Sequence, residues 1–246
     1  MHPRATRDRF QSMLATVTAR PELHARWLNT LSLMEHIGSR KIVKALDSTY
    51  LTEELLQHIA EEARHAYFFK RLCHRVLPDA CPTYEPEHVL CERASKDYFK
   101  QLDAGVDALL SKQNNALTPT QRTMLNYLGV TLVIEVRAGE LYGSYEEVLR
   151  ERQAEISLRS VIAEESRHLQ EVTAMLTALG AGPEYIDALW QLEQPLFEHW
   201  LATLEHEVAQ EAARNAPHKA TRATRHLPAE AQPAGTPPTL RSDALS

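Results

Sequence analysis

Glu61-Glu62-Ala63-Arg64-His65 and its later echo Glu164-Glu165-Ser166-Arg167-His168 decide how this chain is read. A glutamate followed three positions on by a histidine presents both side chains on one face of an α-helix. That is a metal-ligand spacing, although a single pair means little in a chain with 12 histidines. Glu85-Pro86-Glu87-His88 shows why: Pro86 sits inside the pair and Pro82 just before it, so that segment reads as a loop with no helical face. The other two pairs fall inside long amphipathic stretches, and each follows a glutamate set in apolar surroundings. Glu35, in Leu33-Met34-Glu35-His36, precedes Glu62; Glu135, in Val133-Ile134-Glu135-Val136, precedes Glu165. The pattern is Glu, then Glu-x-x-His, repeated once.

With 246 residues, 43% of them hydrophobic, the chain can bury one large core. Only 8 glycines, with abundant Ala, Leu, Glu and Arg, point to long helices and few tight turns, hence an all-α fold. A net charge of -6 gives no field suited to nucleic acid. Cys73, Cys81 and Cys91 are odd in number and lack C-x-x-C spacing, so neither a disulfide framework nor a thiolate zinc site is expected. No apolar run approaches a membrane span and the start lacks a signal-type apolar region, so a cytoplasmic location is expected.

Working outward, apolar residues Leu23, Trp27, Leu31, Met34 and Ile42 mark a helix over about 22–47, after a short packing helix at 3–19. Thr52 reads as the cap of the next helix, which carries Leu55, Ile59, Glu62, His65, Phe69 and Leu72 inward and stops at Pro78. A turn near residues 48–51 brings Glu35 and Glu62 to one level, given ~1.5 Å of rise per residue. A third helix, about 89–112, carries no ligand pattern and serves as a long crossover. Thr118-Pro119 opens a helix through Glu135 to about 149. The next, about 154–179, carries Glu165 and His168 and ends at Gly180. Level matching places the turn between them near 149–153. A last helix from Pro183 to about 214 packs through Trp190, Leu196 and Trp200 and is expected to bend at Pro195. The domain therefore spans 1–214, and residues 215–246, rich in Ala, Thr, Pro and Arg, read as a disordered tail.

Four carboxylates and two imidazoles converging on a helical core are intolerable without compensation, because each buried unpaired charge costs several kcal/mol. Two divalent cations balance four glutamates. Oxygen and nitrogen donors without thiolate favour two iron ions, with manganese or a mixed iron–manganese pair as alternatives, and leave coordination positions open for dioxygen or substrate. The competing reading, solvated glutamates paired with arginines such as Arg64, does not explain why the whole pattern recurs on core-facing positions.

The two pentapeptides resemble the D-E-x-R-H motif of bacterial multicomponent monooxygenases, within the broader ferritin-like di-iron carboxylate superfamily. The likeness covers about residues 22–180. It implies a four-helix bundle with one long crossover, here with additional N- and C-terminal helices, and the ligands Glu35, Glu62, His65, Glu135, Glu165 and His168. Glu61 and Glu164 stand where that family has histidine-orienting aspartates, steadied by Arg64 and Arg167; each is longer by one methylene. His58-x-x-x-Glu62-x-x-His65 is similar to a stretch of the di-iron arylamine N-oxygenases. Their extra histidine belongs to the later repeat, where this chain has Val161, so His58 is expected to support the site from the core.

His36 points away from Glu35, and Glu140 away from Glu135. Gly38 and Ala138, one turn beyond their glutamates, leave room for oxygen or substrate, or for close helix packing. Tyr50, Tyr127 and Tyr142 read as packing residues, and Glu198, His199, Glu205 and His206 as an exposed face. The function expected is an oxidoreductase that activates O2 to oxidise a small organic molecule, with an external electron donor and a homodimer both compatible. Ferroxidase or peroxidase handling of iron or peroxide, as in ferritins and rubrerythrins, is the alternative, although the paired C-x-x-C of a rubredoxin module is missing. A non-catalytic helical interaction protein is the third.

Overall fold

Thr118-Pro119 shows how local sequence sets the helix boundaries: the threonine side chain and Gln121 close a reciprocal capping box, and Pro119 takes the first helical position. The computed structural model describes residues 3–45, 51–113 and 117–214. Among the described residues there are seven α-helices and no strand: α1 (Pro3–Thr18), α2 (Pro21–Ala45), α3 (Glu53–Val76), α4 (Glu92–Gln113), α5 (Pro119–Glu151), α6 (Arg159–Ala178) and α7 (Pro183–Arg214). The protein is an all-α helical bundle. No described helix is long and apolar enough to cross a membrane. The expected turn at 48–51 lies, apart from Leu51, outside the described residues, as do Tyr50 and the tail from 215.

α2 and α3 pack along their length, as do α5 and α6. The first pair is antiparallel: Ser32 donates to the Ala66 carbonyl, and Gly38, further along α2, faces Glu62, earlier on α3. Thr52 caps α3 by accepting from the Leu55 amide, as the sequence suggests. The α5–α6 connection departs from expectation. α5 ends at Glu151, Gln153 takes a left-handed φ of 54°, and α6 begins at Arg159, later than the reading near 154. The reason is Glu146, whose carboxylate accepts from the Leu158 amide at 2.6 Å and from the Ser157 hydroxyl at 3.1 Å. Those bonds tie the end of the connection back onto α5. Residues 86–88 form a 3-10 turn inside the loop read from Pro82 and Pro86.

The three remaining helices close the bundle. α4 packs on α5 and α7, while α1 packs on α5, α2 and α7. α7 runs through Pro195 without interruption. Glu198 and Glu205, read as exposed, grip Arg9 of α1 at 2.7 and 2.6 Å. Deeper in, Glu193 of α7 is fully buried and accepts both guanidinium arms of Arg137 (2.9 and 2.7 Å) and the Tyr98 hydroxyl (2.8 Å). Phe197 lies under the same guanidinium, its ring centre 4.0 Å away. A buried charge survives only when paired and hydrogen-bonded in this way, so one ionic knot ties α4, α5 and α7 together behind the site. Cys73, Cys81 and Cys91 are all free thiols and buried.

Candidate metal centre

The helical spacing that puts Glu62 and His65 on one face of α3, and Glu165 and His168 on one face of α6, turns both faces toward Glu35 on α2 and Glu135 on α5. All six are buried. Their donor atoms fall into two overlapping groups, Glu35-Glu62-His65-Glu165 and His58-Glu62-Glu135-His168, each with its ligand atoms within 4.8 Å of one another. Glu62 belongs to both. Glu165 also reaches both sides, its Oε1 lying 2.9 Å from His65 Nδ1 and its Oε2 3.7 Å from His168 Nδ1. A third group, Glu85-Glu87-His88, lies at the 3-10 turn, with both glutamates exposed and His88 half-buried.

Each imidazole is aimed from behind. Glu164 accepts from His65 Nε2 at 2.6 Å and from Arg64 at 2.7 Å. Glu61 accepts from His168 Nε2 at 2.8 Å and is held by Arg167. The bracing is thus crossed: the carboxylate of one repeat orients the histidine of the other, and the longer glutamate still completes the bond. With Nε2–H donated outward, Nδ1 is the ring nitrogen left facing the centre. Burial works against ionising Glu61, but hydrogen bonds from Arg167, Gln57 and His168 more than offset it and hold the carboxyl down at about 2.

His58 was expected to support the site from the core; the structure turns its ring into the cluster. Its Nδ1 meets the Tyr127 hydroxyl at 3.2 Å, which leaves Nε2 facing Glu62 (3.4 Å) and Glu135 (3.3 Å). The ring also stacks on His168, centroids 4.0 Å apart. Spacing alone assigns His58 a place one turn from Glu62; only the position of Tyr127 on α5 fixes which nitrogen points inward. Tyr142, read as packing, donates to Oε1 of Glu35. His36 stacks on Tyr84 and Glu140 pairs with Arg137, both away from the centre.

The cluster has the marks of a cation site. His58 Nε2, His65 Nδ1, His168 Nδ1, Glu135 Oε2 and Glu165 Oε1 are buried without a hydrogen-bond partner. Buried polar atoms are normally satisfied, and five orphans around one point cost more than a fold gains by keeping them. Mixed carboxylate and imidazole donors suit iron or manganese. Burial raises Glu35 and Glu135, burial and the Glu35 and Glu165 charges bring Glu62 to about 7, and at Glu165 burial is outweighed by hydrogen bonds and the His65 charge, which hold it below the usual carboxylate range.

A small cavity of about 60 Å³ adjoins the four carboxylates and is walled by Leu31, Met34, Ile134, Ala138 and Tyr142. Gly38 completes that wall for a steric reason, since a Cβ there would stand 2.7 Å from Glu62 Oε2. Gly38→Ala is expected to leave thermal stability unchanged or slightly raised, because alanine is the better helix former by up to ~1 kcal/mol. It should weaken metal binding roughly tenfold by pushing the Glu62 carboxylate aside. Melting curves and metal titration of the same variant separate the two effects.

No protein-family model, curated protein or solved structure matches the chain.

Proposed function

We propose that the cluster binds two divalent transition-metal ions, iron foremost, and that the loaded protein is an oxidoreductase using O2 to oxidise a small organic molecule. The observation that carries this reading is the pair of four-residue donor groups joined through Glu62, with five orphaned inward atoms among them. It accords with the resemblance of Glu61–His65 and Glu164–His168 to the ferritin-like di-iron carboxylate proteins. Two ferrous ions, when bound, would supply Lewis acidity and two of the four electrons that reduction of O2 to water requires, the other two coming from the organic substrate or an external donor. The chain's own residues do the rest. Glu61 and Glu164 fix the histidine rings, the Tyr142 hydroxyl orients Glu35 by donating a hydrogen bond to it, and the apolar wall from Leu31 to Ala138 keeps bulk water from the reacting face.

The apolar cavity beside the carboxylates favours an organic substrate over iron storage, because an iron-handling centre has no need of a dry wall. The test is anaerobic loading with ferrous iron, metal counting, then addition of O2. Two irons per chain and rapid O2 uptake are expected, both abolished by prior chelation. A preparation that binds no metal, with a melting temperature indifferent to chelator, overturns the reading. Very large particles on size exclusion that accumulate ferric mineral would point instead to storage.

A further inference from the structure

α4 packs on α5 and α7 but scarcely on α2, and the gap left between α2 and α4 is a surface groove of about 870 Å³. Its floor is apolar: Leu33, Ile37, Ile59, Ala63 and Phe99. Its rim is cationic, with Arg40, Lys41, Lys44, Lys96 and Lys100 against the single acid Asp103. Lys41 pairs with Asp103 and Lys96 with Glu92, while Arg40, Lys44 and Lys100 make no ion pair among the described residues. On a chain of net charge -6, five cations around one apolar trough are a local reversal of sign. Val43 adds an exposed apolar side chain at 57%.

Phe99 links this groove to the site. Among the described residues it is the one that lines both the groove and the cavity at the carboxylates. It is itself buried and packs edge-on against Tyr98. We propose that the α2–α4 groove binds an apolar molecule with an anionic head, and that Phe99 is the partition its tail must pass to reach the metal-side cavity. The head pairs with Arg40, Lys44 or Lys100 at the rim, and the tail lies on Leu33, Ile37 and Ile59. Attraction of the head orients the molecule tail-first toward Phe99. Binding stands on the groove alone; that the bound molecule is the one oxidised rests on the di-metal reading.

Calorimetric titration of metal-free protein with decanoate, decyl phosphate and decanol tests the groove. Both anions are expected to bind saturably, more weakly as salt is raised, and about tenfold or more tighter than decanol. The tighter of the two identifies the head as carboxylate or phosphate. The double variant R40E/K100E, on exposed positions, should lose about tenfold for the anions and little for decanol. Equal affinity for decanol, no effect of charge reversal, or stronger displacement by an acidic peptide than by decanoate would overturn the proposal. Phe99 is tested in cobalt-loaded protein, where decanoate should perturb the visible spectrum of the wild type and of Phe99→Ala but not of Phe99→Trp. A spectrum unmoved in all three, with decanoate bound, removes Phe99 from the path. Failure to load cobalt sinks the di-metal reading and leaves the calorimetric result standing.

Discussion

Glu62→Gln is expected to abolish stoichiometric binding of both metal ions, whereas Glu35→Gln and Glu135→Gln each remove one. Glu62 supplies an atom to both donor groups, while Glu35 belongs to one and Glu135 to the other. Hydrogen-bonding partners behind a ligand are already worth about 10- to 100-fold in metal affinity, so loss of the shared carboxylate should cost each ion more than ~100-fold. His58→Ala should behave like Glu135→Gln, since His58 Nε2 lies in the same group. Helical circular dichroism should persist in every variant, because the bundle is held by the apolar core from Phe10 to Val208. The metal-free Glu62→Gln protein should melt no lower than metal-free wild type, as it relieves carboxylate repulsion. Two tightly bound ions per chain in Glu62→Gln would sink the assignment.

Metal affinity should fall steeply with acid, by about a hundredfold or more between pH 8 and pH 6, with protons released as the ions bind. The metal-free cluster is a proton store. Glu62 is raised to about 7 by burial and by the charges of Glu35 and Glu165, so it is part-protonated at neutrality. Burial disfavours the imidazolium of His65, but the Glu165 and Glu35 carboxylates beside its Nδ1 prevail and raise it to about 11. A cation must evict those protons to claim the lone pairs. For stability the sign follows directly. Glu62 is raised above its unfolded value, so its contribution to the metal-free fold is full at acid pH and is lost as pH rises through about 7. The His65 contribution is full below its ordinary value of 6.5 and lost as pH rises through about 11. The gap in melting temperature between loaded and metal-free protein should therefore widen from pH 6.5 to 8.5. Calorimetry in buffers of different ionisation enthalpy counts the protons, and loading without release would refute the picture.

Periodicity carried much of the architecture. Thr52, Thr118-Pro119 and Gly180 mark helix ends by chemistry that acts within a few residues, and the structure places the boundaries there. The turn after α5 falls within the expected 149–153, but α6 starts at Arg159 rather than near 154, because the anchor of that connection, Glu146, lies on the preceding helix, twelve residues from the Leu158 amide it holds. The buried Arg137–Glu193–Tyr98 knot carries no pattern in the chain, since its members come from α5, α7 and α4. The same holds for Tyr142 on Glu35 and for the grip of Glu198 and Glu205 on Arg9.

By itself the amino-acid order determined an all-α protein whose glutamates and histidines recur at one-turn spacing on inward faces, because a helix converts spacing into direction. It could not determine which atoms of those side chains meet. Tertiary packing decided that Glu61 braces His168 and Glu164 braces His65, that Tyr127 turns His58 Nε2 into the cluster, and that Gly38 leaves space for Glu62. It also opened the cationic groove, by holding α4 on α5 and α7 and off α2. Contacts between helices depend on rotation and separation about axes that no single helix specifies, and those are set only when the whole core closes.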